Sequence, residues 1–165
     1  MIDDELDDQS IEGETTELRL TRTFDASRER VWDAWTDPEQ VAKWWGPERF
    51  TTTIHEMDVR PGGVWRFVMH DPDGIDHHNT FPYDDVVEFQ RLVYTHPGEA
   101  DRPHFQAMVN LDDGATGGTE LAFRMVFDTV TARETLEEHG GVEAARQTLD
   151  RLARHLEDRA NGEEA

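Results

Sequence analysis

Histidines and carboxylates crowd one stretch of the chain, His70-Asp71-Pro72-Asp73-Gly74-Ile75-Asp76-His77-His78. Asp71, Asp73, Asp76 and His77 are the oxygen and imidazole donors that a hard or borderline metal ion takes. Their spacing does not match an EF-hand loop, and Asp71-Pro72-Asp73-Gly74 is accounted for as a tight turn. No metal site is expected. His55 and His104 fall on predicted strands, where a hydrogen-bonded or half-exposed histidine is expected rather than a catalytic base. The chain has no cysteine, which excludes thiolate zinc sites, iron–sulfur clusters, thiol catalysis and disulfides. Nucleophile motifs, phosphate loops and dinucleotide fingerprints are absent too, the glycine-rich spacings being turns. These residues give no positive sign of an enzyme, assign no catalytic residue and imply no cofactor.

A second set is aromatic and apolar. Trp65, Phe67 and Met69, then Phe105 and Val109, then Phe123 and Met125 alternate along predicted strands. Trp44 and Trp45 stand near one end, and Leu149 and Leu152 lie on a later helix. Such alternation by itself favours a packed core over the wall of an apolar pocket.

With 165 residues, 36% of them hydrophobic, the chain is one domain of ordinary size that can bury a core without staples. No apolar run approaches a membrane span, and the first residues, Met1-Ile2-Asp3-Asp4-Glu5, are acidic where a signal peptide is basic. A cytoplasmic location is expected. Thirty-seven acids against sixteen bases give a net charge of −21, and Lys43 is the single lysine. That field repels phosphate backbones and anionic lipid, so neither nucleic acid nor a membrane surface is an expected partner. An acidic partner-binding face and a disordered chain are weighed against adaptation to high internal salt. Patterned apolar residues exclude general disorder, and salt adaptation, hence a halophilic source, is the favoured reading.

The elements follow from periodicity. Residues 1–17 hold eight acids and no base, which predicts a disordered acidic tail. One domain is expected over 18–160 and a short tail over 161–165. Leu18, Leu20 and Phe24 alternate with polar residues as a half-buried strand, with Arg22 interrupting the apolar face. Ser27 can cap a helix that aligns Val31, Trp32 and Trp35, and Asp37-Pro38-Glu39-Gln40 opens a second with a capping-box spacing. Strands are predicted over 50–59, 64–70, 78–88, 91–96, 105–111 and 121–127. Arg60-Pro61-Gly62-Gly63 reads as a type II turn, and Pro82 marks an edge or irregular position. Thr131 is expected to cap a short helix closing at Gly140-Gly141. After it Val142, Ala145, Leu149, Leu152 and Leu156 draw one apolar stripe on a long helix. A one-sided antiparallel sheet needs a cover, and that helix supplies it, so the class is α+β.

The string from Phe24 to Glu39, FDASRERVWDAWTDPE, resembles the N-terminal signature of the SRPBCC (START-like) superfamily. Within it the chain is most similar to the family of the activator of the heat-shock-protein-90 ATPase. Trp44-Trp45-Gly46-Pro47, Asp58-Val59-Arg60-Pro61-Gly62-Gly63, Arg91-Leu92-Val93-Tyr94-Thr95 and Gln147-Thr148-Leu149-Asp150-Arg151-Leu152 continue the match over about residues 18–157. The resemblance implies a helix-grip (START/Bet v-like) fold, a curved antiparallel sheet around a long C-terminal helix with two short helices after the first strand and a cavity in the grip. The chain departs from the family's common pattern at Ala144, often glycine, and at Glu88-Phe89-Gln90, often a Pro-Glu or Pro-Pro pair. Chaperone-activating members resemble it in one of two domains, and the other is not matched here, so the family's name is weak support for chaperone work.

With a cavity implied, Trp44, Trp45, Trp65, Phe67, Met69, Phe105, Val109, Phe123, Met125, Leu149 and Leu152 become candidate lining for a small hydrophobic or amphipathic ligand. Some members of the superfamily place an acid–base pair in the cavity. Asp58, Glu56, His55, Tyr83 and Tyr94 are the candidates for a cyclase-, dehydratase- or hydrolase-like reaction, though Asp58 beside its turn reads as a structural ion pair. A third alternative is a chaperone-activating or other protein-binding domain. A chaperone or a homodimer contact stays open.

Overall fold

The computed structural model describes residues 15–98, 103–115 and 117–164. Most of the expected acidic tail, residues 1–14, lies outside the described residues, as does Ala165.

β1 (Glu17–Phe24) is followed by α1 (Arg28–Thr36) and α2 (Pro38–Trp44). Then come β2 (Thr51–Met57), β3 (Val64–His70), β4 (Asp76–Val87), β5 (Arg91–His96), β6 (Phe105–Asp113) and β7 (Thr119–Phe127). α3 (Val130–Glu138) and α4 (Gly141–Glu164) close the chain. The seven strands form one antiparallel sheet in the order β1-β7-β6-β5-β4-β3-β2, curved around the long C-terminal helix. This is the α+β helix-grip architecture. Two ends differ from the sequence reading: β1 already includes Glu17, and α4 runs past residue 160 to Glu164.

Local chemistry sets the boundaries. Ser27 Oγ accepts from the Arg30 N–H at 3.2 Å and opens α1. Asp37 ends α1 and begins α2, its side chain accepting from the Glu39 N–H at 3.1 Å and from Gln40 Nε2 at 3.2 Å. The cap of α3 is Thr129 rather than Thr131. Its backbone is still extended (φ −141°, ψ 159°), as an N-cap must be, and its hydroxyl accepts from the Ala132 N–H. The Arg60–Gly63 turn puts Gly62 at φ 85°, and a Cβ at Gly63 would stand 2.0 Å from the Asp58 carbonyl oxygen. β4 is not an edge strand. Pro82 ends its pairing with β3, and from Tyr83 onward the strand pairs with β5, with a register shift between Tyr83 and Asp85. A residue without an N–H suits that change of neighbours.

Alternation decides the inner face. Phe105, Ala107, Val109 and Leu111 of β6 and Leu121, Phe123, Met125 and Phe127 of β7 are all buried and pack toward Leu149, Leu152 and Leu156 of α4. Arg22, which breaks the apolar pattern of β1, reaches across to α4 and pairs with Asp150 at 2.8 Å. Among the described residues no helix is long and apolar enough to cross a membrane.

One buried polar network ties α4 to α2. His155 Nε2 lies 3.0 Å from Gln40 Oε1, and Gln40 Nε2 donates to Asp37. The amide donates on one side and so accepts on the other, which places the proton of neutral His155 on Nε2. Burial, then the nearby Arg159 and Lys43 charges, pull the His155 pKa below its ordinary value of 6.5, with Asp158 and Asp37 opposing. The unfolded chain therefore takes up this proton first as pH falls. The contribution of neutral His155 is present above pH 6.5 and is lost as pH drops through the lowered folded value. His155→Gln, which keeps a donor for Gln40, should flatten this part of the pH–stability curve. Denaturant titrations of both proteins between about pH 7 and 5 check it; parallel curves would assign the acid lability elsewhere.

Candidate functional site

Between sheet and α4 lies a cavity of about 260 Å³, partly open to solvent. It occupies one end of the gap. The sheet contributes Met69 of β3, Asn79 and Phe81 of β4, Tyr94 and His96 of β5, Phe105 of β6, and Phe123 and Met125 of β7. α4 contributes its N-terminal turns, Gly141, Ala144, Ala145, Thr148 and Leu149. Small residues there hold the helix backbone near the sheet without filling the space, whereas Leu152 and Leu156 close the gap further along. The lip is the segment Trp45-Gly46-Pro47 with Phe50, and Leu136 and His139 of the α3–α4 junction face it.

Of the side chains expected to line a pocket, Trp45, Met69, Phe105, Phe123, Met125 and Leu149 do so. Trp44, Trp65, Phe67, Val109 and Leu152 do not; they are core. Trp44 is 1% exposed and donates its indole N–H to the Ala34 carbonyl at 2.9 Å. Trp65 stacks on Phe67 at 4.6 Å, under the edge of Trp45. Val109 and Leu152 lie deeper along their elements, where leucines already fill the gap. Sequence reasoning missed Trp35, Asn79, Phe81, His96 and the α3–α4 junction. The available signal was the run of small residues Gly140, Gly141, Ala144 and Ala145 at the start of the long helix.

The wall is an aromatic ladder with neutral polar groups. Tyr94 stacks on Phe81 at 5.4 Å, and His96 leans on Phe81 at 4.8 Å and stacks on Phe105 at 4.7 Å. Burial, and secondarily Tyr83, hold the Tyr94 phenol well above the ordinary tyrosine pKa, so it stays protonated. The indole N–H groups of Trp35 and Trp45 are buried without an acceptor. Both rings sit in edge-to-face contacts, Trp35–Trp44 at 4.8 Å and Trp45–Trp65 at 4.7 Å, where an aromatic face is the neighbour on offer. Most telling is what the wall lacks. In a chain that is 32% charged, no Asp, Glu, Lys or Arg lines the cavity among the described residues.

Arg151 holds the lip from behind. Its guanidinium reaches from α4 to the carbonyls of Gly46 (2.9 Å), Pro47 (3.0 Å), Lys43 (3.3 Å) and Trp45 (3.4 Å). Gln147 accepts from the Glu48 N–H, and Arg154 pairs with the Glu48 carboxylate at 2.6 Å.

The acid–base candidates are dispersed. Asp58 pairs with Arg60 at its turn and Glu56 with Arg66, each at 2.9 Å, and His55 is exposed on β2. Tyr83 is buried beside the cavity without lining it, its pKa raised by burial and the Asp58 charge. Tyr94 alone of the five faces the cavity. The histidine–carboxylate stretch is a turn. Asp71 accepts from His77 Nε2 at 3.0 Å and from the Asp73 and Ile75 N–H groups, bonds that hold its carboxyl below the usual range. Asp76 engages His70 at 2.7 Å, and no three such groups converge on one point among the described residues. His104 precedes β6 instead of lying on it.

A curved sheet gripping a long helix, with an apolar hollow between them, defines the START-like class, the SRPBCC superfamily. Within it the chain belongs to the family described as activator of Hsp90 ATPase homolog 1-like protein, whose model matches residues 25–157. No curated protein matches the chain in sequence. Among solved structures, a protein of Nitrosomonas europaea is 27% identical with a TM-score of 0.81, covering 88% of this chain and 97% of that one. A Chromobacterium violaceum protein is 26% identical (TM-score 0.71; 86% and 97% covered). A protein of Arthrobacter aurescens has a TM-score of 0.83 at 21% identity, covering 90% of each chain, and shares the fold. Family and fold together are those of a ligand-binding or protein-binding domain.

Proposed function

We propose that the protein is a binding module that holds a small hydrophobic or amphipathic molecule between sheet and α4. The observation that carries this reading is the largely apolar wall, without a carboxylate, ammonium or guanidinium among its described residues, in a strongly acidic chain. Kept dry and sealed, a hollow of 260 Å³ would cost about 6 kcal/mol at roughly 24 cal/mol per Å³, comparable to the whole stability of many domains. An occupant offsets that cost. The rival, a protein-docking role, would place apolar side chains outside; among the described residues Ile75, 57% exposed in a turn, is the one large apolar side chain so placed.

Native mass spectrometry of the purified protein, before and after organic extraction, tests the reading directly. A bound small-molecule mass that extraction removes supports it. A bare polypeptide that also fails to bind any apolar fluorophore overturns it.

Two phenylalanines separate binding from packing. Phe123→Ala removes a wall residue and should weaken an apolar fluorophore by about tenfold or more. Phe67→Ala removes a core residue that is 1% exposed and should cost about 3–5 kcal/mol of stability while the folded fraction binds nearly as the parent does. Fluorescence titration alongside chemical denaturation in molar salt measures both; equal affinity losses would put the binding site elsewhere.

A further inference from the structure

Resting on the carrier reading, and deepening it, we infer that the cavity selects uncharged molecules bearing a neutral hydrogen-bonding group and rejects the ionised form of the same skeleton. The wall offers no counter-ion. Its polar groups are the Asn79 amide, the Tyr94 phenol, the Thr148 hydroxyl and two imidazoles. Thr148 spends its proton on the Ala144 carbonyl and keeps an acceptor, and Asn79 Nδ2 donates to the His77 carbonyl, leaving its carbonyl oxygen to accept. His139 Nδ1 lies 2.8 Å from the Thr135 carbonyl, which can only accept, so neutral His139 keeps its other nitrogen as an acceptor. The guanidinium at the lip, that of Arg151, lies behind it with its bonds committed to four main-chain carbonyls.

An anion entering this hollow loses its water and meets no cation, the costly case of an unpaired buried charge. It also approaches a chain of net charge −21 past Glu137, Glu138 and Glu143, which are exposed on the α3–α4 junction beside the cavity. A cation gains from that field and from the aromatic faces, yet it too finds no carboxylate in the wall. A hydroxyl, ketone or amide loses far less water and can bond to the neutral groups named above.

The test uses one skeleton in three charge states. The uncharged fluorophore N-phenyl-1-naphthylamine is bound to the full chain and displaced by 1-naphthalenemethanol, 1-naphthoate or 1-naphthylmethylammonium. The pH is about 8, where histidine is neutral. Each titration is run in about 0.2 M and about 2 M KCl, the second screening the long-range field. The alcohol should displace the reporter at a concentration at least about tenfold below either ion in both salts. Either ion matching or beating the alcohol in 2 M KCl would overturn the inference while leaving a binding cavity in place. Failure of the reporter to bind at all would overturn the carrier reading, and this inference with it. Thr148→Lys, or Ala144→Lys if the first unfolds, places an ammonium in the wall and should lower the naphthoate concentration required by about tenfold. A folded lysine variant with unchanged naphthoate displacement would show that the missing cation is not what excludes anions.

Discussion

Replacing Arg151 with methionine should destabilise the protein by about 2–4 kcal/mol, out of proportion to a partly buried arginine that makes no carboxylate contact in the described structure. The guanidinium closes the C-terminal end of α2 and the turn after it. Its two short bonds, to the Gly46 and Pro47 carbonyls at 2.9 and 3.0 Å, fix the segment that carries Trp45. Trp45 in turn touches Trp35, Trp44, Trp65 and Phe67, so the lip and the aromatic core share one anchor. Burial pulls the Arg151 pKa down and the Glu48 charge pulls it back, but the group stays charged, and a cation at a helix C-terminus is favourable in itself. Methionine keeps the aliphatic packing and removes every donor, leaving carbonyls without their partner. Arg151→Lys retains charge without the fork and should recover only part of the loss. Arg154→Met is the control: it breaks an exposed, solvent-screened pair with Glu48 and should leave the unfolding midpoint close to the parent's. Denaturant unfolding of the three variants in molar salt decides the matter. An Arg151→Met protein within about 0.5 kcal/mol of the parent would mean the lip is held by the aromatic contacts alone.

The fold was legible because its signals are local and repeated. Alternation in Phe105–Leu111 and Leu121–Phe127, the caps Ser27 and Asp37, and the spacing of Leu149, Leu152 and Leu156 each dictate an element and the face it buries. The cavity was only half legible, because periodicity reports which face points inward and not how deep a residue sits. Trp65, Phe67 and Met69 share one face of β3, yet only Met69 reaches the hollow. Leu149 and Leu152 share one stripe of α4, yet only Leu149 does. What separates them is the facing element: Gly141, Ala144 and Ala145 leave room at one end of the helix, and larger side chains take it up at the other. His96 and Asn79 escaped notice for a related reason. Each is a polar residue in a weakly patterned hairpin, and only the pairing of β4 with β3 and β5 puts them on the same wall as Phe81 and Tyr94.

Stability should rise with salt, the melting temperature climbing by at least about 5 °C between about 0.1 and about 2 M KCl. The two kinds of charge interaction in this protein respond to salt differently. Attractions are short: Arg22–Asp150, Arg28–Asp113, Arg66–Glu56, Arg91–Asp85 and Arg124–Glu17 all meet at 2.7–2.9 Å. The bidentate contact between Arg124 and Glu17 lowers the carboxyl's pKa despite partial burial. Repulsions are long, because thirty-seven acids share sixteen bases and the surplus is spread over the surface. At about 1 M salt the screening length is ~3 Å, close to the contact distance of a pair and far below the spacing of unpaired acids. Screening therefore removes more repulsion than attraction. Exposed pairs are worth at most about 1 kcal/mol each, so even their partial loss does not reverse the sign. Apolar burial in the core is not weakened by KCl, so it does not oppose this trend. Calorimetric scans in KCl, with an uncharged osmolyte series as control, read the effect directly. A flat or falling melting temperature would show that the surplus carboxylates are far enough apart not to matter, and that the acidic coat serves a partner rather than the fold.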